Sequence, residues 1–182
     1  MTSLRDELLP LGWRALHRRL RKGHPIDARA LDGTAYRGIA LGNPGWIERL
    51  SWKTFQKTFY RDPSTGELRG WNVRVAQRGL DAPTVPLQKR GRPFTFGHYA
   101  VVPPAGHRTP AGCDRGLLIH YGLGRHGALD PMQRVRDPLV ALVEGSVDVL
   151  LGASYVDLFG LCVVTPAYFL LEREGPIEYV PE

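Results

Sequence analysis

One stretch of the chain decides its fold. Residues 55–75 read Phe55-Gln-Lys-Thr-Phe-Tyr-Arg-Asp-Pro-Ser-Thr-Gly-Glu-Leu-Arg-Gly-Trp-Asn-Val-Arg-Val75. Two runs rich in aromatic and β-branched residues flank a segment that begins with Asp62-Pro63 and ends with Gly66. Asp-Pro is typical of the start of a turn, and Gly marks its end. The stretch therefore predicts an antiparallel β-hairpin.

Similar strand signals, separated by Gly- and Pro-rich segments, continue along the chain. They predict strands at 31–41, 51–60, 67–78, 94–102, 116–122, 135–143, 147–157 and 163–174, and a helical turn at 46–50. About eight strands in this order predict a mainly β protein, an antiparallel closed barrel. The last three strands are apolar on both faces, so we expect one face to line the barrel and a helix to cover the other.

An amphipathic helix is predicted at the N-terminus, within residues 3–22. Its apolar stripe, at helical spacing, consists of Leu9, Trp13, Leu16 and Leu20. Pro10 is better placed at the start of a helix than inside it, which leaves residues 3–9 as an alternative separate turn. We expect residues 1–25 to pack as a helix on the barrel and residues 26–182 to form a single β-barrel domain.

The positive charge is concentrated in the same segment. The formal net charge is +6, and residues 1–25 hold six basic side chains against two acidic ones. The nearly neutral remainder argues against a nucleic-acid-binding face on the barrel. The basic helix leaves two alternatives open, packing on its own barrel or a peripheral membrane contact through residues 3–22.

Composition also bears on compartment and cofactors. No apolar stretch approaches the roughly 20 residues that span a membrane, and charges at positions 5–7 argue against a signal peptide. We therefore expect a cytoplasmic protein. Cys113 and Cys162 are the only cysteines, without a spacing typical of a metal site, so no metal and no cofactor are expected.

Three polar residues are candidates for acid–base chemistry. His98 and His120 lie in consecutive predicted strands, and a tyrosine follows each of them. We expect the two histidines to share one face of the sheet and to border the barrel interior, where they could act as a base or bind a ligand. Asp137 is the third candidate. The alternative is that the histidines lie at the edge of the core with local partners.

Other side chains are candidates for binding a ligand. Arg74 shares a strand face with Asn72, and this face is either exposed or a polar patch in the barrel, where an arginine would bind a carboxylate. The aromatic candidates for lining the cavity, or filling the core, are Trp52, Trp71, Tyr99, Tyr121 and Tyr155.

Short motifs give the chain a family resemblance. Gly33-Thr-Ala-Tyr-Arg-Gly38 resembles the first strand of calycin-like barrels, in particular of the GXWXG and DUF4334 family pair, with Tyr36 in place of the tryptophan. Segments that resemble later parts of that family follow in the same order at 52–59, 118–121, 135–137 and 168–173, and together the likeness covers about two-thirds of the chain. The resemblance implies a lipocalin-like barrel and no established reaction.

These observations leave three classes of function. The favoured one is the binding of a small hydrophobic or amphiphilic molecule, lipid-like or natural-product-like, in a barrel cavity. The second is an enzyme that uses the same cavity with His or Asp as acid or base. The third is a structural or partner-binding protein with a solid barrel. The discriminating feature is an empty cavity of more than a few hundred Å³ in the barrel, because without one the first two classes fail together. The ligand and the oligomeric state stay open.

Overall fold

The computed structural model describes residues 3–42, 53–125, 127, 130–158 and 161–181. Its α-helices are α1 (Leu4–Leu8) and α2 (Trp13–Lys22), and short 3₁₀ helices span Ala28–Leu31, Tyr121–Leu123 and Pro131–Arg134. Its strands are β1 (Thr34–Leu41), β2 (Thr54–Arg61), β3 (Leu68–Val73), β4 (Gln88–Lys89), β5 (Arg92–Pro93), β6 (Thr95–Val102), β7 (Leu117–His120), β8 (Val135–Ala141), β9 (Val149–Leu158) and β10 (Leu161–Pro176).

Eight of these strands close into an antiparallel barrel. The order around the barrel is β1-β10-β9-β8-β7-β6-β3-β2, so strands that follow one another along the chain are neighbours, and β1 pairs with β10 to close the sheet. The predicted fold class is confirmed. Strands β4 and β5 form a separate two-stranded ribbon in the segment 79–93, which the sequence predicted as loop. The predicted helical turn at 46–50 lies outside the described residues.

The predicted hairpin of residues 55–75 joins β2 to β3. The Gly66 amide donates to the Asp62 carbonyl at 2.7 Å, and the Asp62 amide donates to the Glu67 carbonyl at 2.9 Å. Gly66 has a φ of 73°, the left-handed conformation that glycine adopts without strain. The Asp62 carboxylate accepts from the Ser64 amide at 2.9 Å. The turn therefore forms where Asp-Pro and Gly predicted it.

Apolar side chains fill one end of the barrel. Tyr36, Phe59, Leu139, Leu150 and Leu171 belong to one buried cluster and are fully buried. The Asp62–Gly66 turn lies at this filled end, since β2 ends there and the Arg61 amide donates to Asp32 beside β1. This end of the barrel is therefore solid.

The N-terminal segment forms two helices that cover the outside of the barrel. In α2, Leu16 and Leu20 are buried against a second apolar cluster, which includes Val140 of β8 and Leu151 of β9. Trp13 is an exception to the predicted stripe. It is the first residue of α2 and is 49% exposed, and the Arg14 guanidinium lies 5.1 Å from its ring centroid. Leu9 is partly buried on the same cluster.

Among the described residues, no helix combines the length and the apolar composition that crossing a membrane requires.

One irregularity in β6 changes which side chains enter the barrel. Asn72 pairs with Phe96 and Gly70 with Tyr99, so β6 holds one residue more than β3 between the two pairs. Gly97 occupies this bulge with a φ of 53°. Phe96 and Tyr99 both face the interior as a result, and His98 faces outward. Simple alternation, which predicted one shared face for Phe96 and His98, is wrong at this point.

Candidate functional site

A lysine and an aspartate meet inside the barrel. Lys57 lies on β2 and Asp137 on β8, and these strands are four places apart in either direction around the barrel. The distance from Lys57 Nζ to Asp137 Oδ2 is 3.6 Å, and both side chains are 2% exposed. Buried charges are rare unless they are paired, so this pair is the most distinctive chemical feature of the interior.

Two more polar side chains complete a hydrogen-bonded group with this pair. Lys57 Nζ donates to Asn72 Oδ1 at 2.9 Å and to the Tyr121 hydroxyl at 2.8 Å. The Tyr121 hydroxyl donates to Asp137 Oδ2 at 3.1 Å. Asn72 is the cross-strand neighbour of Lys57 and donates to the Gly97 carbonyl at 3.1 Å, which fixes its amide orientation. We call Lys57, Asn72, Tyr121 and Asp137 the lumen cluster.

Aromatic rings surround the ammonium group. Lys57 Nζ lies 4.8 Å from the ring centroid of Tyr99, 5.1 Å from that of Phe169, 5.3 Å from that of Tyr121 and 5.8 Å from that of Phe55. Cation–π attraction at these distances offsets part of the cost of removing the charge from water. The rings also exclude water from the nitrogen.

Burial shifts the proton affinities of the cluster. Desolvation lowers the pKa of Lys57 to about 8, although the Asp137 charge acts in the opposite direction. Desolvation raises the pKa of Asp137, against the stabilising effects of Lys57, Ser154 and Tyr121. Burial and the Asp137 charge raise the pKa of Tyr121 well above its ordinary value, so this hydroxyl keeps its proton. The lysine and the aspartate are thus closer in proton affinity than in water.

A cavity of about 210 Å³ lies beside the cluster, and we call it the lumen cavity. Its lining comprises Ala40, Phe55, Lys57, Asn72, Phe96, Tyr121, Met132, Asp137, Ser154, Ala167, Tyr168 and Phe169. It is smaller than the few hundred Å³ expected for a hollow barrel and than the roughly 300–1,000 Å³ of drug-sized sites. It exceeds the roughly 150 Å³ that is enough to admit benzene in an apolar core. Because the cavity is also open to solvent, it accommodates a small molecule or the end of a larger one.

One buried oxygen in this lining has no partner. Among the described residues, no donor meets the geometry of a hydrogen bond to Asp137 Oδ1, whereas Oδ2 of the same carboxylate accepts from Tyr121. The Ser154 hydroxyl is close enough to the carboxylate to lower its pKa but leaves this oxygen without an aligned donor. A buried acceptor without a donor costs about 1–3 kcal/mol, and more when it is charged. The lumen cavity thus offers an unoccupied acceptor position for a ligand group that donates a hydrogen bond.

Depressions of larger volume lie on the outside of the barrel. One of about 420 Å³ runs over β2 and β3, with Trp71, Glu174 and residues 176–179 in its lining. Two of its polar side chains pair with Glu174, since Gln56 donates to it at 3.2 Å and the Thr84 hydroxyl also bonds to it, whereas the buried Trp71 Nε1 has no hydrogen-bond partner among the described residues. The described residues that line this groove include no buried charge pair. The lumen cavity is therefore the better candidate site, despite its smaller volume.

The structure separates the residues that the sequence proposed as a site. Tyr99, Tyr121 and Asp137 lie in the barrel interior. Arg74 lies next to the lumen cavity but does not line it, with its Cζ 4.6 Å from the Phe94 ring centroid and 5.9 Å from that of Phe96. Trp52 falls outside the described residues.

The two histidines lie together on the outer face. Ala100 pairs with His120, so His98 and His120 share one side of the neighbouring strands β6 and β7, as expected. This side faces away from the lumen cavity, contrary to expectation, because Ile119 and Tyr99 occupy the inward positions. Burial, Arg136 and His107 lower the pKa of His120 to about 4, so it is neutral at pH 7.

The remaining aromatic candidates are also on the outside. Trp71 alternates with the inward Asn72, and its ring centroid lies 6.3 Å from that of His98. Tyr155 alternates with Ser154 of the lumen cavity, and its hydroxyl donates to the Arg108 carbonyl. Neither residue borders the lumen cavity.

Sequence reasoning missed Lys57, although its signal was present in the opening stretch. Phe55, Lys57 and Phe59 occupy alternate positions of β2 and therefore share one face. A lysine between two phenylalanines on one strand face indicates a buried charge or an exposed aromatic pair. Asn72 was recognised only as part of a face that could be exposed or interior, and the structure places it in the interior.

Within the described parts of the chain, no group of three or more His, Cys, Asp or Glu side chains is arranged to hold a metal ion. Comparison with models of known protein families, with curated proteins and with solved structures finds no significant match.

Proposed function

We propose that the protein binds a small, mainly apolar molecule with one hydrogen-bond-donating group in the lumen cavity. The observation that carries this proposal is the buried Asp137 Oδ1, an acceptor without a donor in the lining of an aromatic cavity. Concave apolar sites with a few convergent polar groups are the usual form of small-molecule sites.

The chemistry of the cluster favours a neutral donor over an anion. Lys57 already donates to Asn72 and Tyr121 and has Asp137 as its counter-ion, so it has little to offer a ligand carboxylate. A carboxylate would also approach the Asp137 charge. A hydroxyl or amide N–H would instead donate to Asp137 Oδ1, and its apolar body would contact Phe55, Phe96 and Phe169. The head group is therefore an alcohol or a similar neutral donor.

Two measurements test this proposal. Native mass spectrometry of freshly purified protein should detect a co-purified small molecule. Chemical-shift titrations should then show that benzyl alcohol binds about tenfold or more tightly than toluene, because a hydrogen bond to a buried carboxylate contributes about 1.5–3 kcal/mol. Benzoate should bind more weakly than benzyl alcohol.

Matched variants locate the binding. Ala167→Leu fills part of the lumen cavity without touching the charges, and it should abolish benzyl alcohol binding. His98→Gln changes a residue on the outer face and should leave binding unchanged. Equal affinity for toluene and benzyl alcohol would contradict the assigned role of Asp137. Absence of binding by all three probes would favour a solid barrel with a structural or partner-binding role.

A second candidate function is catalysis in the same cavity, with Asp137 as the acid or base. The supporting observation is that burial raises the pKa of Asp137 beside Tyr121, whose hydroxyl keeps its proton. Groups with shifted pKa values in a cavity are typical of active sites.

Kinship with the GXWXG and DUF4334 pair is likewise a proposal. Its first-strand aromatic residue, Tyr36, is buried in the filled end and donates to the Val147 carbonyl at 2.8 Å.

Cytoplasmic location and a membrane contact through residues 3–22 stay proposals, and sedimentation with anionic vesicles would test the latter.

A further inference from the structure

We propose that Lys57 is a nucleophile that forms an imine with a small apolar aldehyde held in the lumen cavity. This inference rests on one part of the proposed function, that the lumen cavity holds a small apolar molecule, because the aldehyde must first occupy the cavity; a carbonyl has no hydrogen to donate, so the aldehyde does not use the Asp137 Oδ1 position. It goes beyond that function by assigning covalent chemistry to one residue and a carbonyl class to the ligand.

The geometry places the required groups around one point. Lys57 is one of the residues that line the lumen cavity, and three of the rings within 6 Å of its Nζ, those of Phe55, Tyr121 and Phe169, line the same cavity. Asp137 Oδ2 lies 3.6 Å from Nζ, and the Tyr121 hydroxyl lies 2.8 Å from it. A nucleophile with an acid–base partner in direct reach is the usual arrangement for covalent catalysis by a buried amine.

The reaction balances with the groups of the cluster alone. The neutral Lys57 amine attacks the carbonyl carbon, the new C–N bond forms, and a proton moves from nitrogen to oxygen to give a carbinolamine. Asp137, in its carboxylic acid form, then protonates the hydroxyl, the C–O bond breaks and water leaves. The products are a protonated imine and the Asp137 carboxylate, which remain as an ion pair. No oxidant, reductant or further reactant takes part.

The burial of the pair makes its reactive form accessible. Moving one proton from the ammonium to the carboxylate converts the ion pair into a neutral amine and a neutral acid without changing the total charge. Because Lys57 has a pKa of about 8, roughly a tenth of it is already neutral at pH 7. The fraction for an exposed lysine with an ordinary pKa is about a hundredfold smaller.

The cavity sets the size of the substrate. About 210 Å³ accommodates a molecule somewhat larger than benzene, such as an aromatic aldehyde with one ring. The rings of Phe55 and Phe169 would contact the body of the aldehyde, since both line the cavity and both lie within 6 Å of Nζ. Charged carbonyl compounds are disfavoured by the aromatic walls.

Reductive trapping tests the proposal directly. Intact protein is incubated with benzaldehyde and sodium cyanoborohydride, and the modified lysine is identified by peptide mass spectrometry. The chain has only four lysines, Lys22, Lys53, Lys57 and Lys89, so the assignment is unambiguous. At pH 7 we expect Lys57 to be benzylated about tenfold or more faster than the exposed Lys89, which lies outside the cavity and serves as the internal control.

A pH series and a matched variant test whether fast trapping of Lys57 depends on Asp137 or only on the burial of the lysine. The trapping rate at Lys57 should stay level up to about pH 8 and fall above it, because the neutral amine and neutral acid together hold as many protons as the ion pair and lose one as the pH rises through the pKa of Lys57. Asp137→Asn keeps the amine but removes the acid, and it should slow trapping at Lys57 without changing that at Lys89. The wild-type comparison of the two lysines remains valid even if the variant folds poorly.

The outcomes distinguish this inference from the proposed function. If benzyl alcohol binds and Lys57 is trapped no faster than Lys89, the imine proposal is wrong and the binding proposal stands. If neither benzyl alcohol nor benzaldehyde occupies the cavity, both proposals are wrong. Selective trapping that Ala167→Leu abolishes would support both.

Discussion

At the scale of single residues, the lumen cluster determines what the barrel interior can do. Lys57 has three partners for its three protons, in Asn72, Tyr121 and Asp137. Each of these contacts gives a buried polar or charged group a hydrogen-bond partner or a counter-ion that it would otherwise lack. The stability of such a group depends on all of its members, since removing one leaves another charge or dipole unpaired.

A double-mutant cycle measures this dependence. Lys57→Met and Asp137→Leu should each lower the free energy of unfolding by about 3–5 kcal/mol, because each leaves a buried charge without its counter-ion. The double variant should cost much less than the sum, since it removes both charges and keeps an apolar volume. Urea denaturation of the four proteins gives the coupling. Additive costs would mean that the two side chains do not stabilise one another.

At the scale of elements, α2 is held by its buried stripe. Leu16 and Leu20 are fully buried beneath the helix, whereas Trp13 at its first residue is half-exposed. Arg19, Arg21 and Lys22 lie in the last turn, where positive charge interacts favourably with the helix dipole. The helix therefore contributes a cover for the outer faces of β8, β9 and β10, with its basic surface directed away from them.

Alanine substitutions in α2 test this role. Leu16→Ala and Leu20→Ala should each destabilise the protein by about 2–5 kcal/mol, because each leaves a cavity between the helix and the barrel. Trp13→Ala is the matched control and should cost much less, although it removes a larger side chain, since half of that side chain is already in water. Thermal denaturation compares the three. Equal losses of stability in all three variants would show that the burial of a side chain does not determine how much it stabilises the protein.

At the scale of the whole molecule, the buried pair makes stability depend on pH. Lys57 has a pKa of about 8 in the folded barrel, below the value of about 10.4 in an unfolded chain. Between these values the unfolded state binds a proton that the native state does not, so stability rises with pH. Asp137 has a raised pKa when folded, so its protonation favours the native state at low pH, and this contribution is lost as pH rises through the folded value.

The alkaline side gives the clearer measurement. Relative to the Lys57→Met/Asp137→Leu double variant, the wild type should gain stability between about pH 8 and 10.5, by an amount on the order of 3 kcal/mol. The double variant is the appropriate reference because Tyr99 and Tyr121, whose pKa values are also raised, are present in both proteins. A stability difference that stays constant over this range would refute the lowered pKa.

Local sequence determined the elements of this protein. The Asp62–Gly66 turn forms as predicted because its hydrogen bonds join residues at most five positions apart. The run of strands, their order around the barrel and the covering helix follow from periodicity and short connections. Tyr99, Tyr121 and Asp137 were also recognised as candidates, because aromatic and acidic residues stand out in apolar strands.

Only the tertiary structure decided which residues meet. Alternation divides a strand into two faces but does not say which one is inside, and both faces of the later strands are apolar. The bulge at Gly97 then reverses the alternation in β6, which places His98 outside and Tyr99 inside. Lys57 and Asp137 are 80 positions apart and lie on opposite sides of the lumen, so closure of the barrel alone brings their charges together.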